Sequence, residues 1–273
     1  MKFLKNILKF YIEGSIHVAL SVVCLTALTF EKFHMGYDLD LCAVSFLATI
    51  SSYNFMKYAT NAETYFSVAT VYLKIIQGLS IFCFVAMLVL ACFLSIEVLG
   101  VLALSSFFTA IYALPLLPGN KSFRNLSGLK IYMVGFCWAL ITVIIPVVDD
   151  HVKLDNRVWV EFVQRFLLVI ILIIPFDIRD LKEDGLVLGT LPQRLGVAKS
   201  KGVGYILLSL FFLLTFVNPV IEAKEVGVTL SVTALTALFI VFAKEQQSKY
   251  YCGFWVESVP IIWYVIYLLL PSF

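Results

Sequence analysis

Residues 158–185 read VWVEFVQRFLLVIILIIPFDIRDLKEDG. The first part, 158–176, is apolar except for Glu161, Gln164 and Arg165, and it is long enough to cross a bilayer core as a helix. It then turns abruptly acidic. Asp177, Asp180 and Asp184 recur at i, i+3 and i+7, which at roughly 100° per residue puts them within an arc of about 60° on one helix face. A membrane span that ends in a stripe of three carboxylates decides the reading of the whole chain.

The remaining sequence repeats the first half of this pattern. Hydrophobic residues make up 61% of the 273 positions and charged residues 14%, against roughly 45–50% and about 25% in soluble domains. The mean hydropathy is +0.97. There is too little polar surface to coat a water-soluble core. The apolar runs are continuous, which excludes the alternating strands of a membrane β-barrel. Nine candidate spans are read at 14–30, 39–56, 73–95, 97–117, 128–148, 158–176, 203–221, 226–243 and 253–271. The third and fourth are separated only around Ser95-Ile96-Glu97. The expectation is an all-α bundle of nine transmembrane helices, with 1–273 as a single domain. The opening Met1-Lys2-Phe3-Leu4-Lys5 looks like the start of a signal peptide. Glu13 interrupts it and no small-x-small site follows, so the reading is a short amphipathic helix and an uncleaved first span.

Basic residues orient the bundle. With the N-terminus in the cytoplasm, the inner segments hold fifteen Lys and Arg and the outer loops only Lys32, Lys153, Arg157 and Lys224. Arg165 lies inside the sixth span. This predicts a multi-pass protein of the bacterial inner-membrane type with its C-terminus outside. A net charge of +2 gives no reason to expect nucleic acid. Cys24, Cys42, Cys83, Cys92, Cys137 and Cys252 form no CxxC pair, so they read as small core residues.

Three carboxylates on one stripe repel each other unless a cation neutralises them. Mg²⁺ takes oxygen ligands and commonly uses one or two carboxylates plus phosphate oxygens and water. Arg179, Lys182 and Glu183 fall off the stripe and can face solvent. Glu161 and Arg165 are spaced i, i+4 and neutralise each other. Asp149, Asp150, His151 and Asp155 fall in an outer loop and read as solvated.

Asp-x-x-Asp-x-x-x-Asp over 177–184, followed by Thr190-Leu191-Pro192 and Leu195-Gly196, resembles the second aspartate motif of the UbiA-type intramembrane prenyltransferases. Those proteins are nine-helix bundles with cytoplasmic aspartate motifs. The resemblance covers the span layout of the whole chain, and in residues mainly 175–196. The family's first motif, Asn-Asp-x-x-Asp-x-x-x-Asp, aligns with 54–62. Only Asn54 matches; Phe55, Tyr58 and Ala62 replace the aspartates. In their place Asn54, Lys57, Tyr58 and Asn61 form a donor-rich helix face about 100° wide, with Glu63 on the far side. Such donors bind an anion directly. The family's Tyr-x-x-x-Lys motif is also changed, because Leu116 stands four residues after Tyr112. Lys121 and Arg124, with Lys130, follow in the same inner loop.

What the resemblance implies is transfer of a polyprenyl group from an isoprenyl diphosphate to a lipophilic or aromatic acceptor. Asp177, Asp180 and Asp184 would hold one Mg²⁺ rather than the family's pair. Asn54, Lys57, Tyr58, Asn61, Lys121 and Arg124 would bind the diphosphate. Trp138, Phe212, Phe216 and Trp255 are candidates to line a prenyl cavity. The alternative is a non-catalytic relative that binds a lipid or protein partner, since the first aspartate motif is lost. A transporter is a third reading, without the interrupted, symmetry-related spans that would mark one.

Overall fold

The computed structural model describes residues 2–58, 70–113, 128–182, 189–218 and 221–271, all as helices and their connections, with no strand. In chain order the helices are α1 (Lys2–Glu13), α2 (Ile16–Lys32), α3 (Leu39–Tyr58), α4 (Val71–Ala91), α5 (Ile96–Ala113), α6 (Leu129–Ala139), α7 (Ile145–Asp149), α8 (Asn156–Asp180), α9 (Leu191–Leu195), α10 (Val197–Leu213), α11 (Ala223–Phe242) and α12 (Val259–Leu269). A π-helical turn at Leu140–Ile144 joins α6 to α7, and another at Tyr251–Val256 leads into α12.

Helical segments stand at each of the nine expected places, and Cys92–Ser95 separates the third from the fourth. Seven described helices are long and apolar enough to cross a membrane, or eight if α1 and α2, bent by 57°, count as one span. The apolar helix Ile96–Tyr112 is shorter. The protein is an integral, multi-pass helical bundle.

Burial follows lipid exposure as much as core formation. α4 turns Phe82, Val85, Leu88 and Val89 outward. Large apolar side chains are stable there only against lipid tails, since in water such a patch would far exceed what a soluble monomer exposes. α8 is the most buried span. Asp155 caps its N-terminus, with Oδ1 accepting from the backbone N–H of Arg157 (2.9 Å) and Val158 (3.2 Å). Leu168 and Ile171 of α8 pack with Val22 and Leu25 of α2, Phe211 of α10 and Trp263 of α12. Gly135 of α6 lets α8 come close: a Cβ there would stand 3.1 Å from the Phe166 ring and 3.2 Å from its carbonyl oxygen. α6, α10 and α11 pack along α8, and a hollow is left beside its C-terminal half.

The entry into the bundle is sharply bent. Ser15, between α1 and α2, has φ 61°, a left-handed conformation that costs an L-residue roughly 1–2 kcal/mol. Three side chains of α3 meet this bend: Asn54 Nδ2 donates to the Gly14 carbonyl (3.2 Å), Lys57 Nζ to Ser15 Oγ (3.0 Å), and Tyr58 Oη to the Glu13 carbonyl (3.0 Å).

Candidate functional site

The hollow is a cavity of about 840 Å³, within the range of small-molecule sites. Its deeper wall is apolar and aromatic: Val134 and Trp138 from α6, Val169 and Leu172 from α8, and Tyr53 from α3. Val169 lies eight residues before Asp177, about 12 Å along the axis. The mouth is ionic. Lys9, Lys57, Arg179, Arg194 and Lys249 line it together with Glu13, Asp177 and Asp180.

The structure brings Asp177 and Asp180 to the same wall, as their i, i+3 spacing requires. Asp177 is buried. Arg179, off the stripe, keeps part of its side chain exposed and also lines the cavity. Its Nε and Nη2 donate to Asp180 Oδ1 (2.6 Å) and Oδ2 (2.9 Å), and its guanidinium lies 5.2 Å from the Phe176 ring centroid. Lys182 does face outward, 3.2 Å from Glu245. Asp184 and Glu183 lie outside the described residues. Among the described residues no three His, Cys, Asp or Glu side chains are grouped to hold an ion. The two carboxylates on this wall differ in their surroundings: Asp177 is buried, and both oxygens of Asp180 accept from Arg179.

Of the donor-rich face, Lys57 and Tyr58 line the cavity. Asn54 is buried and its amide N–H points to the α1–α2 bend, while its Oδ1 has no hydrogen-bond partner among the described residues. Asn61, Glu63, Lys121 and Arg124 lie outside the described residues. Tyr112 lines the cavity. Of the four candidate aromatic residues, only Trp138 does so, and its Nε1 donates to Tyr53 Oη (2.8 Å). Phe216 and Trp255 are exposed and belong to the outer surface with Phe212, which packs edge-on against Phe216.

The wall also holds charged residues that the sequence reading did not single out for the site, among them Lys9, Lys249, Arg194 and Glu257. Glu257 had a readable signal, as a lone carboxylate inside the last apolar run. Arg194 sits on α9, where Gln193 Oε1 accepts from the Thr190 backbone N–H (3.1 Å). The Thr-Leu-Pro stretch therefore starts a short helix, and its first residue Leu191 lines the cavity together with Gly189 and Thr190 just before it.

Glu161 and Arg165 do pair (2.6 Å), and Lys32 of α2 joins them, 2.7 Å from Glu161. This cluster is buried away from the cavity. Asp149 and Asp150 lie at the opposite end of the bundle, near Asp38 and Asp40. The N-cap Asp155 is there too, a full length of α8 from Asp177.

No family model matches the sequence, and no curated protein matches it. The structure is similar to a solved structure from work on digeranylgeranylglyceryl phosphate synthase in membranes, with a TM-score of 0.56 and 16% identity over 98% of this chain and 97% of that one. The chain has a UbiA-like fold. At this identity the likeness speaks for the path of the backbone, and the cavity side chains must be read on their own terms.

Proposed function

We propose that this UbiA-like protein is a transferase that moves a prenyl group from an isoprenyl diphosphate to a hydrophobic acceptor. The observation that carries the reading is a single volume with an apolar aromatic shaft and a mouth holding both cations and paired carboxylates. A diphosphate with a long hydrocarbon tail needs both parts, and few other ligands do. The UbiA-like fold supports the same assignment.

Lys57, with N–H groups left beside the one given to Ser15, would donate to the diphosphate, as would Tyr58 on exchanging its bond to the Glu13 carbonyl, with Lys9, Arg194 and Lys249 adding positive charge. Asp177 and Asp180 would hold one Mg²⁺, which when bound supplies charge that offsets the leaving diphosphate. Arg179 keeps the Asp180 carboxylate oriented. As the C–O bond breaks, positive charge develops on the allylic carbon. The faces of Phe176, Tyr53 and Trp138 suit such a cation, and Val169 and Leu172 keep water from it. The mouth would face the cytoplasm, where the basic residues are concentrated.

The test is incubation of purified protein with Mg²⁺ and radiolabelled isoprenyl diphosphates of several chain lengths. Diphosphate release by wild type that disappears in Asp177→Asn supports the enzyme. Equal release by the variant removes the reading. One observation favours a second reading, a non-catalytic relative: the donors that replaced the first aspartate motif are hydrogen-bonded to the α1–α2 bend. Binding of isoprenyl diphosphate without turnover would select it.

A further inference from the structure

Prenyl transfer to an O–H or aromatic C–H acceptor releases a proton, and nothing described above receives it. We propose that Glu257 is the catalytic residue that accepts it, an inference that rests on the prenyl-transfer reading.

Glu257 follows directly on the π-helical turn Tyr251–Val256. Such turns are rare and recur at functional sites. Its backbone is held from two sides: its carbonyl accepts from Ser21 Oγ (2.5 Å), and its N–H donates to the Cys252 carbonyl (3.1 Å). The side chain lines the cavity. Among the described residues its carboxylate has no hydrogen bond and no cation within 4.0 Å. That distinguishes it from Asp180, gripped by Arg179, and from Glu13, which meets Lys9 (3.8 Å), Lys249 (3.7 Å) and Tyr72 (2.9 Å). The charged and titratable groups that act on it are Lys57 and Tyr53 from α3, Arg179 from α8, Tyr11 from α1 and Cys252 from its own turn. Lys57 and Arg179 keep the carboxylate electrostatically supported without occupying its oxygens. An acidic residue inside an apolar run, on the cavity wall and without a hydrogen-bond or ion-pair partner for its carboxylate among the described residues, is placed to receive a proton from whatever enters.

The step balances with no further reagent. The bond from the prenyl carbon to the diphosphate oxygen breaks and its electron pair leaves on the diphosphate. The allylic carbon bonds to the acceptor's oxygen or ring carbon. The acceptor's O–H or C–H bond breaks, its electrons stay with the product, and the proton goes to the Glu257 carboxylate.

The experiment compares wild type, Glu257→Gln and Glu257→Asp as full chains in lipid nanodiscs with Mg²⁺. A radiolabelled isoprenyl diphosphate is supplied with either a phenol or a lipid alcohol, across a range of pH. Wild type should lose activity as pH falls, because the base is protonated. In Glu257→Gln, kcat should drop roughly a hundredfold to ten-thousandfold and the residual rate should lose that acidic limb. Isoprenyl diphosphate binding should stay unchanged, and Glu257→Asp should recover part of the rate. A wild-type kcat in Glu257→Gln, an unchanged acidic limb, or loss of diphosphate binding overturns the assignment. If wild type itself neither transfers nor releases diphosphate, the prenyl-transfer reading fails and takes this one with it.

Discussion

Arg165 is fully buried, and its charge is acceptable only because of what surrounds it. Glu161 lies 2.6 Å away, Lys32 completes the cluster, and the Trp263 ring stands 4.8 Å from the guanidinium and 5.3 Å from the lysine. One carboxylate thus serves two cations. Glu161→Gln should leave both uncompensated and cost about 3–5 kcal/mol, read as a fall in thermal stability of the detergent-solubilised protein. Lys32→Met should cost clearly less, because a neutral Glu161–Arg165 pair remains. A larger loss from Lys32→Met would contradict this account. The i, i+4 pair was legible in the sequence; Lys32, 129 residues from Glu161, was not, because only helix packing brings it there. Lys57 belongs to the same scale. A charge-assisted hydrogen bond contributes about 1.5–3 kcal/mol, so Lys57→Met should weaken isoprenyl diphosphate binding roughly ten- to a hundredfold. Unchanged binding would assign Lys57 to the bend alone.

Among the elements, the α1–α2 bend shows how a changed motif finds other work. Asn54, Lys57 and Tyr58 sit at or beside positions where the resembled family carries its first aspartate motif, and all three reach the Glu13–Ser15 segment. Their grip fixes where α1 leaves the bundle, and α1 brings Lys9 and Glu13 to the mouth. Gly14 permits the close turn: a Cβ there would stand 2.8 Å from the Phe10 carbonyl oxygen. Gly14→Ala must therefore shift backbone, and we expect a loss of about 1–3 kcal/mol with a changed distance between spin labels on α1 and α2. An unaltered distance and melting temperature would show that the bend does not depend on this glycine. The helical face of α3 was legible from spacing, but its partner was not, since periodicity says which residues share a face and nothing about what that face meets.

For the whole molecule, one end of the bundle carries the cavity mouth and the other the Asp38, Asp40, Asp149 and Asp150 surface. The distribution of Lys and Arg predicts that the mouth faces the cytoplasm. A membrane-impermeant maleimide added to intact cells should then label Cys92, exposed at the end of α4. A Lys249→Cys variant should gain an additional label only after permeabilisation. The reverse pattern would invert the topology. A ligand that binds only the folded bundle stabilises it by mass action, about 2.7 kcal/mol at a hundredfold excess over Kd. Isoprenyl diphosphate with Mg²⁺ should raise the melting temperature, and a chelator should remove most of that rise. A rise indifferent to chelation would mean that Lys57 and the other cations hold the diphosphate without Asp177 and Asp180.

The sequence by itself determined the membrane class, the places of the helices and the shared face of Asp177 and Asp180. These follow from run length and from 3.6-residue periodicity, which are properties of neighbours along the chain. Tertiary structure alone decided that Arg179 folds onto Asp180, that Asn54 serves the bend, that Lys32 joins a pair on another helix, and that Glu257 opens into the same cavity. Apart from the Arg179–Asp180 pair, which lies within α8, each of those depends on which faces of separate helices meet, and within a membrane that is settled by close packing and polar contacts, which leave little trace in local hydropathy.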